Sequence, residues 1–233
     1  MRLDKFLCEM NIGTRSQVKA YIRQGLVTVN GVLVKTPERK IDSERDAVAF
    51  KGELLTYQKF HYYMLNKPSG VVSATQDEKE KTVLDFFPAE KRKGLFPVGR
   101  LDKDTVGLLL ITDDGSLAHS LLSPRKHVDK TYLVQTRFPV SPQALKALEE
   151  GVDIGEKHPT LPAKAVLTDE RTLLLTIREG KFHQIKRMLH AVENEVLFLK
   201  RNAFANLTLD EGLQPGEYRE LTKEEVDSLY ECT

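Results

Sequence analysis

Gly99-Arg100-Leu101-Asp102-Lys103-Asp104-Thr105-Val106-Gly107-Leu108-Leu109-Leu110-Ile111 places a run of charged and polar residues directly before an apolar one. The apolar part, Leu108 to Thr112, has the length of a buried strand, and the loop that enters such a strand is where a rigid scaffold presents reactive side chains. Taken alone, Asp102 and Asp104 each fit a turn or capping role. Their i, i+2 spacing would also suit a pair of glycosidase carboxylates, without fixing the separation that this chemistry needs.

Outward from this strand, strand-like stretches occur at Tyr62 to Leu65, Thr131 to Thr136, Leu173 to Ile177, Val196 to Leu199 and Leu207 to Leu209, between Gly, Pro and Asp-rich turns. Helical patterns cover Ser116–Leu122, Pro142–Glu150 and Phe182–Val192, and a last helix starts at the Thr222-Lys223-Glu224-Glu225 cap. In the third helix Ile185, Met188, Leu189 and Val192 fall at i, i+3, i+4, i+7, leaving Lys186, Arg187 and His190 on other faces. Without a regular βαβ alternation, the pattern predicts an α+β domain over residues 61–233 with a largely antiparallel mixed sheet and flanking helices.

The N-terminal part reads as a separate small domain, residues 1–46. Leu3, Phe6, Leu7 and Met10 open an amphipathic helix that stops near Asn11-Ile12-Gly13. Thr14-Arg15-Ser16-Gln17 has the form of a capping box, Val18 and Ile22 share one face, and Gly25 is placed to end the helix. Arg15, Lys19 and Arg23 recur at i, i+4, i+8 and form a basic stripe able to lie along a phosphate backbone. Val27-Thr28-Val29 and Val32-Leu33-Val34 flank Asn30-Gly31, a strong hairpin signal. Residues 47–60 read as a polar linker with one weak strand in it, Ala47-Val48-Ala49-Phe50.

Composition narrows the class. With 233 residues, 40% hydrophobic and 30% charged, the chain suits one good-sized domain and a small one. No apolar run approaches the 18 or so residues of a membrane span and the first residues are charged, so a soluble, cytoplasmic protein is expected. Cys8 and Cys232 stand far apart with no Cys/His cluster, which argues against a disulfide framework or a structural zinc site. The net charge of +1 hides an asymmetry: residues 1–40 carry eight bases and three acids, residues 207–233 two bases and eight acids. One module meeting a polyanion would give this pattern, and so would two solvated faces of opposite sign. The sequence has no P-loop, GxGxxG, G-x-S-x-G or HExxH motif.

Residue identity carries further than spacing. Arg2-Leu3-Asp4, Thr14-Arg15-Ser16, Ile22-Arg23-Gln24-Gly25 and Val29-Asn30-Gly31 resemble the S4 RNA-binding module. Leu65-Asn66-Lys67-Pro68-Ser69-Gly70-Val71-Val72-Ser73, the Gly99–Leu108 stretch, Ser123-Pro124-Arg125-Lys126-His127-Val128-Asp129-Lys130-Thr131-Tyr132 and Glu179-Gly180-Lys181-Phe182-His183-Gln184-Ile185-Lys186-Arg187-Met188 resemble, in order, the motifs of the RsuA-type pseudouridine synthases. Thr112-Asp113-Asp114-Gly115 and Gly216-Glu217-Tyr218-Arg219 make the branch acting on small-subunit (16S) ribosomal RNA, of the position-516 type, the nearest likeness.

The resemblance implies the isomerisation of a uridine to pseudouridine in ribosomal RNA, with no cofactor and no metal, on a base flipped out of its helix. By the same resemblance Asp102 is the catalytic aspartate, Tyr132 the active-site tyrosine and Lys186 the basic residue facing the aspartate, while Arg100 helps hold the target nucleotide out. Arg125, Lys126, Lys181, Arg187, Lys200 and Arg201 would line the cleft and contact RNA there, and Arg15, Lys19 and Arg23 would grip phosphates at a distance. The chain departs from the family at Val106, where a second Thr is common, and at Lys181-Phe182, where Arg-Tyr is common. His183 reads as structural or substrate-orienting. A monomer with no membrane partner is expected. The competing readings are the same chemistry on 23S ribosomal RNA and a non-catalytic RNA-binding or ribosome-assembly factor.

Overall fold

The computed structural model describes residues 1–10, 12–43, 45–55 and 59–233, in two compact units that divide between Lys59 and Phe60. Asn11, within the predicted helix end, lies outside the described residues, as do Glu44 and residues 56–58 of the predicted linker.

The first unit contains α1 (Leu3–Glu9), α2 (Arg15–Arg23) and the strands β1 (Val27–Val29), β2 (Val32–Leu33), β3 (Val48–Phe50) and β4 (Glu53–Leu55). The capping box forms: the Thr14 amide donates to Gln17 Oε1 at 2.9 Å and the Gln17 amide to Thr14 Oγ1 at 3.4 Å. Asn30 and Gly31 both take positive φ, +53° and +76°, which reverses the chain so that Val29 pairs with Val32. The strands run in the order β2-β1-β3-β4. Residues 47–60 are therefore not a linker, since two strands of this sheet fall within them. Val48 is fully buried against Leu3, Phe6, Val27 and Val29. The Asn30 side chain fixes the return, accepting from the Ala47 amide and donating to Asp46 Oδ1, each at 2.8 Å. The weak strand read within residues 47–50 is β3, while β4, three residues long and mostly exposed, carries too little periodicity to be read from sequence.

The second unit comprises β5 (Tyr62–Lys67), β6 (Phe96–Pro97), β7 (Val106–Thr112), α3 (Gly115–Leu122), β8 (Lys130–Thr136), α4 (Pro142–Glu150), β9 (Lys164–Asp169), β10 (Thr172–Ile177), α5 (Gln184–Ala191), β11 (Val196–Phe204), β12 (Leu207–Thr208), β13 (Tyr218–Glu220) and α6 (Lys223–Glu231). Its sheet runs β13-β5-β7-β11-β8-β10-β9, with β6 on β7 and β12 on β11. Among the strands of the described residues β7 and β11 alone pair in parallel, so the α+β class with a largely antiparallel mixed sheet holds.

The apolar run that opened the reading is β7, and both of its faces are covered. Leu109 and Ile111 pack with Val134, Leu173, Leu148 of α4 and Met188 of α5. Leu108 and Leu110 pack with Leu117 and Leu121 of α3 and Leu229 of α6. Burial on two sides explains an uninterrupted apolar sequence in place of an alternating one. The C-terminal helix is held by the Tyr230 hydroxyl, which donates to Asp114 Oδ2 at 2.5 Å beside the Tyr62 hydroxyl at 2.9 Å from the same oxygen. Gly107, at φ +99°, lies beside β11, where an added Cβ would collide with the backbone of Arg201. Among the described residues no helix is long and apolar enough to cross a membrane.

Candidate active site

The loop before β7 is pinned from below by β5. Lys67, the last residue of β5, is fully buried, and its ammonium donates to the carbonyls of Pro68 (3.1 Å), Asp102 (3.1 Å), Lys103 (3.2 Å) and Thr105 (2.9 Å). Burial pushes Lys67 down to about 8, against the opposing pull of the Asp104 and Asp102 charges. Ser73 adds a second clamp, accepting from the Leu101 amide at 3.0 Å and donating to the Leu101 carbonyl at 2.8 Å. The Gly70 amide donates to Lys103 O at 2.8 Å. Residues 67–73 thus act as the floor of the loop that carries Asp102.

Helix α5 faces this loop. Lys186 Nζ lies 3.3 Å from Asp102 Oδ2 and donates to both oxygens of Asp104, at 2.6 and 2.8 Å. Burial alone would lower Lys186, but the hydrogen bond to Asp104 and the charges of both carboxylates outweigh it and hold the ammonium above its ordinary range. That same hydrogen bond holds Asp104 below the usual carboxylate range. His183, ahead of α5, sits in the left-handed region at φ +48° with Nε2 3.7 Å from Asp102 Oδ1. A non-glycine residue held in this region beside the Asp102 carboxylate fits the pattern of strain concentrated at functional sites. The ring of His183 stacks on that of Phe182 at 3.8 Å, and Phe182 is 70% exposed.

Asp102, Tyr132 and Lys186 line one pocket of about 80 Å³ together with Arg100, Ile177 and His183. Asp102 and Tyr132 also border a larger cleft of about 1080 Å³. Tyr132 is 7% exposed, and β8 and β11 place it opposite Arg201. The site therefore combines a carboxylate, a lysine ammonium and a buried aromatic ring at the edge of a large open cleft.

The other predicted residues divide. Arg100 is exposed and lines both the pocket and the cleft. Lys181 lines both as well, anchored at 3.2 Å to the Pro159 carbonyl and at 3.4 Å to Glu179. Arg125 and Lys126 are exposed on the segment after α3, whose neighbours Ser123, Pro124 and His127 border the cleft. Arg187 departs from the expectation: it is tied to Glu156 at 2.8 Å and to the carbonyls of Phe182 and Ile154, and borders neither the pocket nor the cleft. One residue along a helix turns a side chain about 100° around the axis, so Lys186 faces the loop while Arg187 faces residues 154–156. Arg15 and Arg23 are exposed and Lys19 half-buried on α2, in the first unit.

Two features escaped the sequence reading. Asp104, read as a turn residue, holds Lys186 more closely than Asp102 does. Lys67, quoted within a motif but given no role, supports the loop. Its only signal was a lysine ending an apolar strand, where a buried charge needs several acceptors.

Residues 61–191 match the family described as RNA pseudouridylate synthase, and residues 1–46 match the S4 domain. The chain is 47% identical to an uncharacterized RNA pseudouridine synthase of Bacillus subtilis, covering 99% of each protein. It is 45% identical to the ribosomal small subunit pseudouridine synthase A of Haemophilus influenzae, over 98% of this chain and 99% of that one. A crystal structure of a pseudouridylate synthase matches with a TM-score of 0.71 at 44% identity, covering 98% of this chain and 99% of the other.

Proposed function

Because the chain belongs to the RNA pseudouridylate synthase family, with an S4 domain at its N-terminus, we propose that it converts one uridine of small-subunit (16S) ribosomal RNA to pseudouridine, of the position-516 type, with Asp102 as the catalytic carboxylate. The observation that carries the reading is the Asp102 carboxylate beside Lys186 in the pocket that Tyr132 closes. The choice of 16S RNA draws on likeness along the whole chain to a relative named for the small ribosomal subunit.

The reaction breaks the bond from ribose C1′ to uracil N1, turns the base and joins C1′ to C5, so it is redox-neutral. Asp102 acts at the sugar or the uracil ring, with Lys186 as its fixed cation partner. Tyr132 packs against the uracil. A uridine inside folded RNA must leave its stack, at a cost of a few kcal/mol, and Arg100 at the mouth of the pocket fills or holds the gap. Lys181, Arg125 and Lys126 contact phosphates around the cleft, while Arg15, Lys19 and Arg23 of the S4 domain grip phosphates and set register. The protein works as a monomer in the cytoplasm.

Mapping pseudouridines in both ribosomal RNAs of a strain lacking the gene tests this reading. One missing site in 16S RNA, restored by the wild-type gene and not by Asp102→Asn, is the expected result. A missing site in 23S RNA would overturn the substrate assignment, and intact pseudouridine in both RNAs would favour a non-catalytic role.

A further inference from the structure

Two cations in the wall of the larger cleft have no carboxylate of their own among the described residues. Arg201 of β11 is 2% exposed; its Nε donates to the Leu108 carbonyl at 2.7 Å, and its buried Nη2 has no hydrogen-bond partner. Lys130, the first residue of β8, gives its ammonium to one backbone acceptor, Val128 O at 2.8 Å. Both reach the same ring, the Phe204 centroid being 5.9 Å from Lys130 Nζ and 5.1 Å from Arg201 Cζ, and the two charges act on each other.

The acids around them are engaged elsewhere. Asp129 is paired with Arg178 at 2.8 Å. Glu179 is paired with Lys181 at 3.4 Å and accepts from Gln184 at 2.8 Å. Burial and the Arg201 charge push Lys130 down to about 8. A buried guanidinium with an unfilled donor beside a second cation is costly in isolation, because the Asp129 and Glu179 charges offset the desolvation of Lys130 and its repulsion from Arg201 only in part. An anion with several acceptor oxygens would offset both.

We propose that Lys130 and Arg201 form a phosphate-binding site for the backbone phosphate of the nucleotide whose base enters the Tyr132 pocket. Lys130 lies two residues before Tyr132 on β8, Arg201 is the register partner of Tyr132 on β11, and all three border the same cleft. A nucleotide reaching Tyr132 with its base thus brings its phosphate past these cations. The inference rests on the reading that the substrate is RNA and adds to it the residues that seat the flipped nucleotide.

The test is binding of uridine, uridine 5′-monophosphate and uridine 3′-monophosphate to the full-length protein, followed by NMR or calorimetry. One monophosphate should bind about tenfold tighter than uridine, the increment expected of one charge-assisted contact. Lys130→Met, which preserves length and apolar packing, should abolish that preference, and Lys130→Arg should restore most of it. Equal affinity of the wild type for uridine and both monophosphates, or a phosphate preference that survives in Lys130→Met, overturns the proposal. The same preparations are assayed for pseudouridine in 16S RNA. Turnover without a phosphate preference overturns this inference alone, whereas a phosphate preference without turnover supports the site and contradicts the ribosomal RNA reading.

Discussion

At the scale of single residues, the site turns on how one ammonium is shared by two carboxylates. Lys186 is nearer to Asp104 than to Asp102, so Asp104 orients the lysine that faces the proposed catalytic group. Asp104→Asn should therefore lower kcat about tenfold, equivalent to about 1.4 kcal/mol of barrier, with RNA affinity within twofold. An unchanged kcat would reduce Asp104 to a turn residue. That Asp102, Tyr132 and Lys186 would share one pocket was legible through the family motifs that contain them. The Asp104 contact was not, because it joins positions 82 residues apart and depends on which face α5 turns to the loop. Arg187 shows the converse: its charge suggested RNA, and its helix phase sends it to Glu156.

At the scale of elements, the loop carrying Asp102 owes its shape to β5 below and to the β7–β11 pairing behind it. Lys67→Met would leave the carbonyls of residues 68, 102, 103 and 105 without their donor, so kcat and melting temperature should fall together. The pH dependence has a definite sign. Folded Lys67 loses its proton near 8, while the unfolded chain keeps it to about its ordinary 10.5. Between these values the unfolded state binds more protons, so the contribution of Lys67 to stability rises with pH, by up to about 3 kcal/mol. Denaturant unfolding of wild type and Lys67→Met at pH 7 and pH 10 should show their gap widening with pH; a constant gap would contradict the depressed value. Gly107→Ala should cost about 3 kcal/mol or more by thermal unfolding, because the Cβ meets the Arg201 backbone at a positive φ. Gly31→Ala, with open space around the turn, should cost only about 1 kcal/mol. Equal losses would mean that β11 yields to the methyl group. The long or strongly patterned elements β7, β8, β10, α4 and α5 were legible in the sequence. Strand β9 was not, since its residues are mostly exposed at a sheet edge and carry no alternation; β3 was read as a weak strand, and β4 was too short and too exposed to be read.

At the scale of the whole molecule, the charge asymmetry has a structural counterpart. Two of the eight acids of the C-terminal stretch are paired within it: Arg219 holds Asp210 and Glu225, each at 2.7 Å, and α6 packs into the second unit's core through Leu229. The basic stripe of α2 leaves Arg15 and Arg23 exposed. Replacing Arg15, Lys19 and Arg23 together by Ala should weaken RNA binding and flatten its salt dependence by about two to three units in slope. Turnover at saturating RNA should survive, because Asp102, Tyr132 and Lys186 belong to the other unit. An unchanged slope would make the stripe a solvated face and assign RNA docking to the Arg100 and Lys181 side. The central claim, that Asp102 carries uridine isomerisation on 16S RNA, is tested most directly by tritium release from 5-tritiated uridine in a 16S transcript incubated with purified protein. The account predicts release by the wild type and none by Asp102→Asn, with the variant binding the transcript within a few-fold of wild type. Release by Asp102→Asn, or none by a wild type that binds the RNA, would contradict it.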